Sequence, residues 1–171
     1  MKKLAILILL LAGASLFAQV TNAELKEQLS DVLGNFEALN HRLDKLEKQV
    51  DDVMWRDRLT DIAIVDKVYM YGPPLAHEPN PTAQGFGNPV KFWSYVFIPR
   101  GADLSKKLPL MVFPHGGVHS DFSTYYTHIV RELLTQGYVV VAAEYRGSTG
   151  YGAGHYRKID YGGLVVDDVD A

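Results

Sequence analysis

A histidine followed by two glycines is the first feature of this sequence that could take part in catalysis. It lies in residues 114–120 (PHGGVHS), directly after an apolar run that is typical of a buried strand. Paired glycines at the end of a strand let the backbone turn so that its N–H groups project into a site, as in an oxyanion hole. The alternative is that Gly116 and Gly117 form only a tight turn. We expect His115 to fix this loop by hydrogen bonding.

A second glycine-rich stretch, residues 144–152 (EYRGSTGYG), follows another apolar run. It holds more glycine than a plain surface loop needs, and in open α/β sheets ligands bind beyond the carboxyl ends of the strands. We expect Arg146 to form a buried ion pair with Glu144, and the alternative is that Arg146 binds a substrate carboxylate. Tyr151 is a second substrate-binding candidate that would line a cleft, with aromatic packing as the alternative.

The usual nucleophile motifs are missing from the sequence. There is no cysteine, which excludes a thiol nucleophile and thiolate metal sites, and none of the seven serines lies in a G-x-S-x-G elbow. His115 and His119 are four residues apart, but the glycines between them do not make a metal-binding helix. We therefore expect no metal, no cofactor and no Ser-His-Asp triad in this chain.

The elements that must position the two loops can be predicted from hydrophobic periodicity. Residues 61–71 alternate apolar and polar side chains, and residues 91–98 form a second strand. Residues 108–113 and 138–143 are continuously apolar, as in strands buried on both faces. A helix over residues 123–136, capped by Ser123 and stopped by Gly137, joins them. A strand, a helix and a strand in this order predict a parallel crossover.

The order of these motifs resembles the catalytic α/β-hydrolase domain of the prolyl oligopeptidase family. The resemblance rests on the HGG element, the YRGSTGYG element and Asp167-Asp168-Val169. It implies an oxyanion-hole donor among the backbone N–H groups of Gly116, Gly117 and Val118. It also implies that residues 60–171 are the N-terminal half of the domain, truncated before the nucleophile, and that the chain alone is inactive. The fold class is then α/β, with an incomplete hydrolase sheet of about four strands.

The residues before the sheet have a different pattern. Residues 1–18 combine two lysines, an apolar run and small residues, which predicts a signal peptide for export to the periplasm or medium of a bacterium. Residues 23–54 form a helical stalk with an unbroken heptad seam, which predicts a coiled-coil homo-oligomer. The alternative is that the helix folds back onto its own domain. The seam residues are Leu25, Leu29, Val32, Phe36, Leu39, Leu43, Leu46, Val50 and Val53.

Composition narrows the classes of function that remain. The net charge of −3 argues against a nucleic-acid partner, because phosphate binding needs clustered Lys and Arg. The resemblance, together with the export signal, implies an exported serine hydrolase, a peptidase that works through an acyl-enzyme on a peptide or ester substrate. The alternatives are an esterase of the same fold and a non-catalytic periplasmic protein that assembles through its coiled coil.

Overall fold

The computed structural model describes residues 22–77, 80, 82 and 84–171. A helix of 38 residues, α1 (Asn22–Leu59), comes first and continues five residues beyond the predicted stalk. The chain divides into two units, Met1–Ala38 and Leu39–Ala171. The predicted signal segment lies outside the described residues. Within the described ranges, no helix is both long enough and apolar enough to span a membrane.

Helix α1 has two different faces. On one face Lys48, Trp55 and Leu59 are buried. The heptad seam lies on the other face, and its side chains are 48 to 68% exposed: Leu25, Leu29, Val32, Phe36, Leu39, Leu43, Leu46, Val50 and Val53. The last turns of the helix therefore belong to the core of the second unit, while the seam is uncovered.

A four-stranded mixed sheet follows the helix, as the sequence predicts. Its strands are β1 (Ala63–Gly72), β2 (Val90–Pro99), β3 (Leu110–Val112) and β4 (Val139–Glu144), and their spatial order is β1-β2-β4-β3. Strand β2 is antiparallel to both β1 and β4, whereas β3 and β4 are parallel. The predicted combination of a long helix with a sheet of about four strands is confirmed.

The apolar run of β3 is typical of a strand buried on both faces, but in this chain the strand is exposed. It lies at the edge of the sheet, where Leu110 is 58% and Val112 is 42% exposed, while Met111 packs against the core. Its pairing with β4 extends one residue beyond each end, since Val139 donates to the Pro109 carbonyl and Phe113 donates to the Val141 carbonyl. An apolar run predicts burial only when both faces are covered, and an edge strand has fewer neighbours to cover it.

The hydrophobic core lies between the sheet, the end of α1 and the crossover helix. Trp55 is fully buried and stacks on Phe122, with ring centroids 5.4 Å apart. Because an aromatic side chain of this size buries a large apolar area, Trp55 anchors α1 in the core. The other buried members of the cluster are Leu59, Ala63, Tyr95, Phe97, Val130, Leu134, Val140 and Ala142.

The predicted crossover helix consists of a 3₁₀ turn (Thr124–Tyr126) and helix α2 (Thr127–Thr135). Ser123 makes no side-chain cap. Instead the Asp51 carboxylate of α1 accepts hydrogen bonds from the Thr124 backbone N–H at 2.9 Å and from its hydroxyl at 2.6 Å. The N-terminal cap predicted for Ser123 is therefore supplied by a carboxylate from α1, a helix distant in sequence. Two short helices, α3 (Ala153–Tyr156) and α4 (Leu164–Asp170), follow β4.

Candidate functional site

The two predicted loops lie side by side at one edge of the sheet. We define the first loop as residues 114–120, after β3, and the second loop as residues 145–152, after β4. Because β3 and β4 are parallel and adjacent, their carboxyl ends point to the same edge. The Thr149 N–H donates to the Ser120 carbonyl and the His119 Nδ1–H donates to the Gly147 carbonyl, both at 2.8 Å. The structure therefore joins the two loops into one site.

The backbone of the first loop presents hydrogen-bond donors to solvent. Gly116, Gly117 and Val118 are exposed. Among the described residues, none accepts a hydrogen bond from their backbone N–H groups. Gly117 has φ +85°, a backbone conformation that disfavours residues other than glycine. Such unpaired N–H groups are the chemical requirement of an oxyanion hole.

His115 supports this loop from beneath. Its ring is buried, stacks on the Tyr145 ring with centroids 4.2 Å apart, and places Nε2 2.8 Å from the Ser148 hydroxyl. The Tyr145 hydroxyl also lies 3.1 Å from the Gly117 carbonyl. Burial lowers the pKa of His115 to about 4, so the ring is neutral at neutral pH. A neutral imidazole held in this way acts as a structural strut for the loop.

The Ser148–His115 contact is not arranged as a nucleophile and its base. Ser148 is fully buried, and its single hydroxyl proton is donated to the Tyr145 carbonyl at 2.7 Å. The Glu144 carboxylate lies 3.6 Å from the same His115 Nε2 atom, which favours a proton on that nitrogen. The His115 Nδ1 atom also lies 3.2 Å from the Gly116 carbonyl, so both ring nitrogens have an acceptor nearby. Ser148 gives its proton to a carbonyl, whereas a general base must accept the proton of its serine.

Arg146 is buried and ion-paired, as the sequence predicts, but the predicted partner Glu144 is wrong. The partner of Arg146 is Asp168. Its Nε and Nη2 atoms donate to the two Asp168 oxygens at 2.8 and 2.7 Å, and its backbone N–H donates to Asp168 at 2.9 Å. Nη2 also donates to the Pro73 carbonyl at 2.7 Å. Glu144 instead pairs with the Lys48 ammonium, which lies 2.6 Å from its Oε1 atom.

The two substrate-binding candidates line different clefts. Arg146 contributes to a cleft of about 360 Å³ with His77 and Asp160. Tyr151 contributes to a cleft of about 500 Å³ with Lys67 and Trp93 among its other residues. Burial raises the pKa of the Tyr151 phenol well above its ordinary value, so the hydroxyl stays protonated. The structure does not bring Arg146 and Tyr151 together in one substrate pocket.

Sequence reasoning missed a cluster of buried charges behind the two loops. Lys48 is 3% exposed and contacts Asp121 and Glu144. Lys48 occupies an outer heptad position, where lysine is typical of a solvated surface. The one available signal was Glu144 itself, because a carboxylate that ends a buried strand needs a cation nearby.

Metal ligation has no support in the described part of the chain, where no cluster of three or more His, Asp or Glu side chains could hold an ion. Both histidines of the first loop have other contacts. His115 faces Ser148, and His119 stacks on Tyr156 with ring centroids 3.6 Å apart.

Comparison with known proteins finds similarities over part of the sheet and both loops. Residues 96–157 match the family described as Platelet-activating factor acetylhydrolase, isoform II. The probable dipeptidyl-peptidase 5 of Aspergillus terreus is 41% identical over 89 residues, which are 48% of this chain and 12% of that protein. The acylamino-acid-releasing enzyme of Sus scrofa is 36% identical over 63 residues, which are 37% of this chain and 9% of that protein. Over part of its length, the chain is similar to α/β-hydrolase peptidases of the prolyl oligopeptidase family.

This result confirms the resemblance seen in the motifs. The chain spans about a tenth of the length of the curated relatives that it matches. Among solved structures, a puromycin-hydrolyzing peptidase of Mycobacterium tuberculosis shares 31% identity with a TM-score of 0.43, covering 57% of this chain and 17% of that structure. Both loops of the hydrolase segment fall within the 62 residues that match the acetylhydrolase family.

Proposed function

We propose that this chain is part of an exported bacterial serine hydrolase, a peptidase that works through an acyl-enzyme, and that its first loop supplies the oxyanion-hole donors. One observation carries the proposal. The backbone N–H groups of the exposed residues Gly116, Gly117 and Val118 have no acceptor among the described residues, and they lie at the edge of the sheet where open α/β sheets bind their ligands.

The geometry suits the electrostatic part of acyl transfer. When a serine attacks a carbonyl carbon, negative charge develops on the carbonyl oxygen, and fixed N–H donors stabilise that charge. The donors must be held in place before the reaction, because reorganising them would cost free energy. Here the buried His115 and Tyr145 rings hold the loop from beneath. Loss of one such donor typically lowers kcat by about 100- to 1,000-fold.

The nucleophile of the proposed reaction is none of the seven serines of this sequence. Ser148 is buried and donates its proton elsewhere, and no other serine lies in a nucleophile elbow. We therefore propose that the 171-residue chain by itself is inactive. The two relatives are named as a dipeptidyl-peptidase and an acylamino-acid-releasing enzyme, and the matching family as an acetylhydrolase, so peptides are our first substrate class and esters our second.

The natural product of the gene provides the test. An antibody raised against residues 22–59 is used to recover the protein from periplasm, medium and cytoplasm, and the recovered protein is treated with a fluorophosphonate probe. We expect labelling of the exported protein at a serine in a G-x-S-x-G elbow, an N-terminus at Gln19, and no labelling of the 171-residue chain. Peptide and ester substrates are then compared on the recovered protein. Labelling at Ser148, or an unlabelled natural product, would overturn the proposal.

A second candidate is an interaction protein that assembles through α1. The observation that favours it is the exposed seam, because the opposite face of the same helix is anchored by Trp55 and Leu59. We propose a second copy of this chain as its partner, in parallel orientation, since Arg42 and Glu47 then pair across the interface. Sedimentation should show a dimer or trimer that becomes a monomer in Leu39→Lys/Leu46→Lys. A monomeric wild-type chain at high micromolar concentration would contradict it.

A further inference from the structure

Lys48 is a fully engaged cation in the interior of the second unit. Its Nζ atom lies 2.6 Å from Glu144 Oε1, 2.6 Å from the Phe122 carbonyl and 2.9 Å from Asp121 Oδ2. An ammonium group has three N–H donors, so these three acceptors use all of them. The Tyr95 ring face covers the same group at 4.9 Å. Lysine is almost never this deeply buried unless it is paired, so Lys48, at 3% exposure, differs from an ordinary surface lysine of a helix.

The acceptors of Lys48 lie directly beside the two site loops. Asp121 and Phe122 directly follow the first loop, and Glu144 directly precedes the second. Phe122 also donates its backbone N–H to Glu144 at 3.2 Å, which ties the two loop ends to each other. The ammonium of α1 thus holds the base of both loops.

The second loop is shaped to accept the lysine stem. Gly150 has φ +83°, and a Cβ atom placed there would lie 2.7 Å from the Cβ atom of Lys48. The backbone of the YRGSTGYG element therefore forms a notch into which α1 fits. This close approach gives a reason for glycine at position 150 that is independent of any ligand.

A short path leads from Lys48 to the oxyanion candidate. Glu144 has one oxygen on Lys48 and the other, Oε2, 3.6 Å from the His115 Nε2 atom. His115 in turn lies directly before Gly116 and Gly117. A shift of Glu144 would change the environment of His115, and His115 fixes the start of the first loop.

Lys48 and Glu144 determine each other's ionisation. Burial raises the pKa of Glu144 to about 7, and the nearby Lys48 opposes that rise. For Lys48, burial acts to lower the pKa, but Glu144 and Asp121 outweigh it and the pKa is raised. The lysine thus stays charged and favours the carboxylate form of Glu144.

We infer that Lys48 is a positioning residue of the candidate site. Through the contacts from Lys48 to Glu144 and from Glu144 to His115, helix α1 fixes the position of the first loop. That the first loop acts as an oxyanion hole rests on the proposed function. The positioning itself is a property of the described residues and is measurable without catalysis.

The experiment uses the 171-residue chain and three variants. Lys48→Met removes the charge and keeps the stem, Glu144→Gln removes the carboxylate, and Lys45→Met is the matched control on an exposed position one turn earlier. Amide hydrogen exchange is followed at the hydrogen-bonded amides of each loop base, Phe122 for the first loop and Gly147, Ser148 and Thr149 for the second, with β1 and β2 as the reference. The ¹⁵N chemical shift of His115 Nε2 reports the path to the loop.

We expect Lys48→Met to speed exchange in both loops by about tenfold or more while β1 and β2 keep their protection, and to move the His115 shift. Lys45→Met should do neither. If Lys48→Met does not fold, the double variant with Glu144→Gln removes both charges and should show the same loop exchange. Exchange no faster than in Lys45→Met, or a change that merely follows β1 and β2, would overturn the inference. A failed fluorophosphonate test would leave this result unchanged.

Discussion

Replacement of Asp168 by alanine should reveal whether Arg146 is a structural residue. Both Asp168 and Arg146 are fully buried, and the carboxylate accepts three N–H groups of Arg146 at 2.7 to 2.9 Å. Asp168→Ala leaves the guanidinium buried without a counter-charge. Removing one partner of a buried ion pair typically costs about 3–5 kcal/mol of the free energy of unfolding. For a chain of this size that lowers Tm by about 10 °C.

The assay is urea unfolding followed by tryptophan fluorescence, which reports on Trp55, fully buried in the folded state, and on the partly buried Trp93. Asp167→Ala, an exposed neighbour in α4, is the matched control and should change the free energy of unfolding by less than about 1 kcal/mol. The double variant Asp168→Ala/Arg146→Met should recover part of the loss, because it removes both charges.

A cost below about 1 kcal/mol for Asp168→Ala would refute this reasoning, since a solvated or ligand-binding Arg146 would tolerate the loss of its partner. So would a double variant whose loss equals the sum of the two single losses, because additive effects would mean that the two side chains do not interact.

Three further predictions concern the loops and the sheet edge. As pH falls from 6.5 to 4, the unfolded chain protonates His115 before the folded chain does, so up to about 3 kcal/mol of stability should be lost; an NMR titration midpoint above 6 would contradict the buried, neutral ring. Gly147→Ala places a Cβ atom 2.4 Å from Ile159 Cδ1 at φ +89° and should cost about 2–4 kcal/mol by urea unfolding, whereas Gly154→Ala meets nothing within 4 Å and should be neutral or stabilising. Leu110→Lys, on the exposed edge strand, should reduce light scattering of concentrated chain without changing Tm, and unchanged scattering would show that this edge does not drive association.

Local pattern predicted most of the secondary structure. Alternation placed the first strand at residues 61–71 and the structure has Ala63–Gly72, while Gly137 at φ +90° ends the crossover as expected. These features depend on side-chain period and backbone conformation over a few residues, which a single sequence displays directly. The apolar run of β3 did not by itself show that the strand is exposed, because its place at the sheet edge is set by the order of all four strands.

The partners of charged residues could not be predicted. Arg146 and Asp168 are 22 positions apart, and the nearer Glu144 was the obvious choice by spacing. Lys48 lies in a helix whose heptad pattern marks it as outward-facing, yet it meets residues more than 70 positions away. Both pairings depend on which faces of distant elements pack together.

The sequence by itself determined the hydrolase motifs, the order of helix and strands, and the seam of α1, because each is written in residues close together in the chain. The tertiary structure alone decided that the two loops are bonded to each other and that Lys48 and Glu144 share one buried site. The physical reason is that burial and charge pairing depend on the environment created by the whole fold, in which an isolated ion is too costly to leave unpaired.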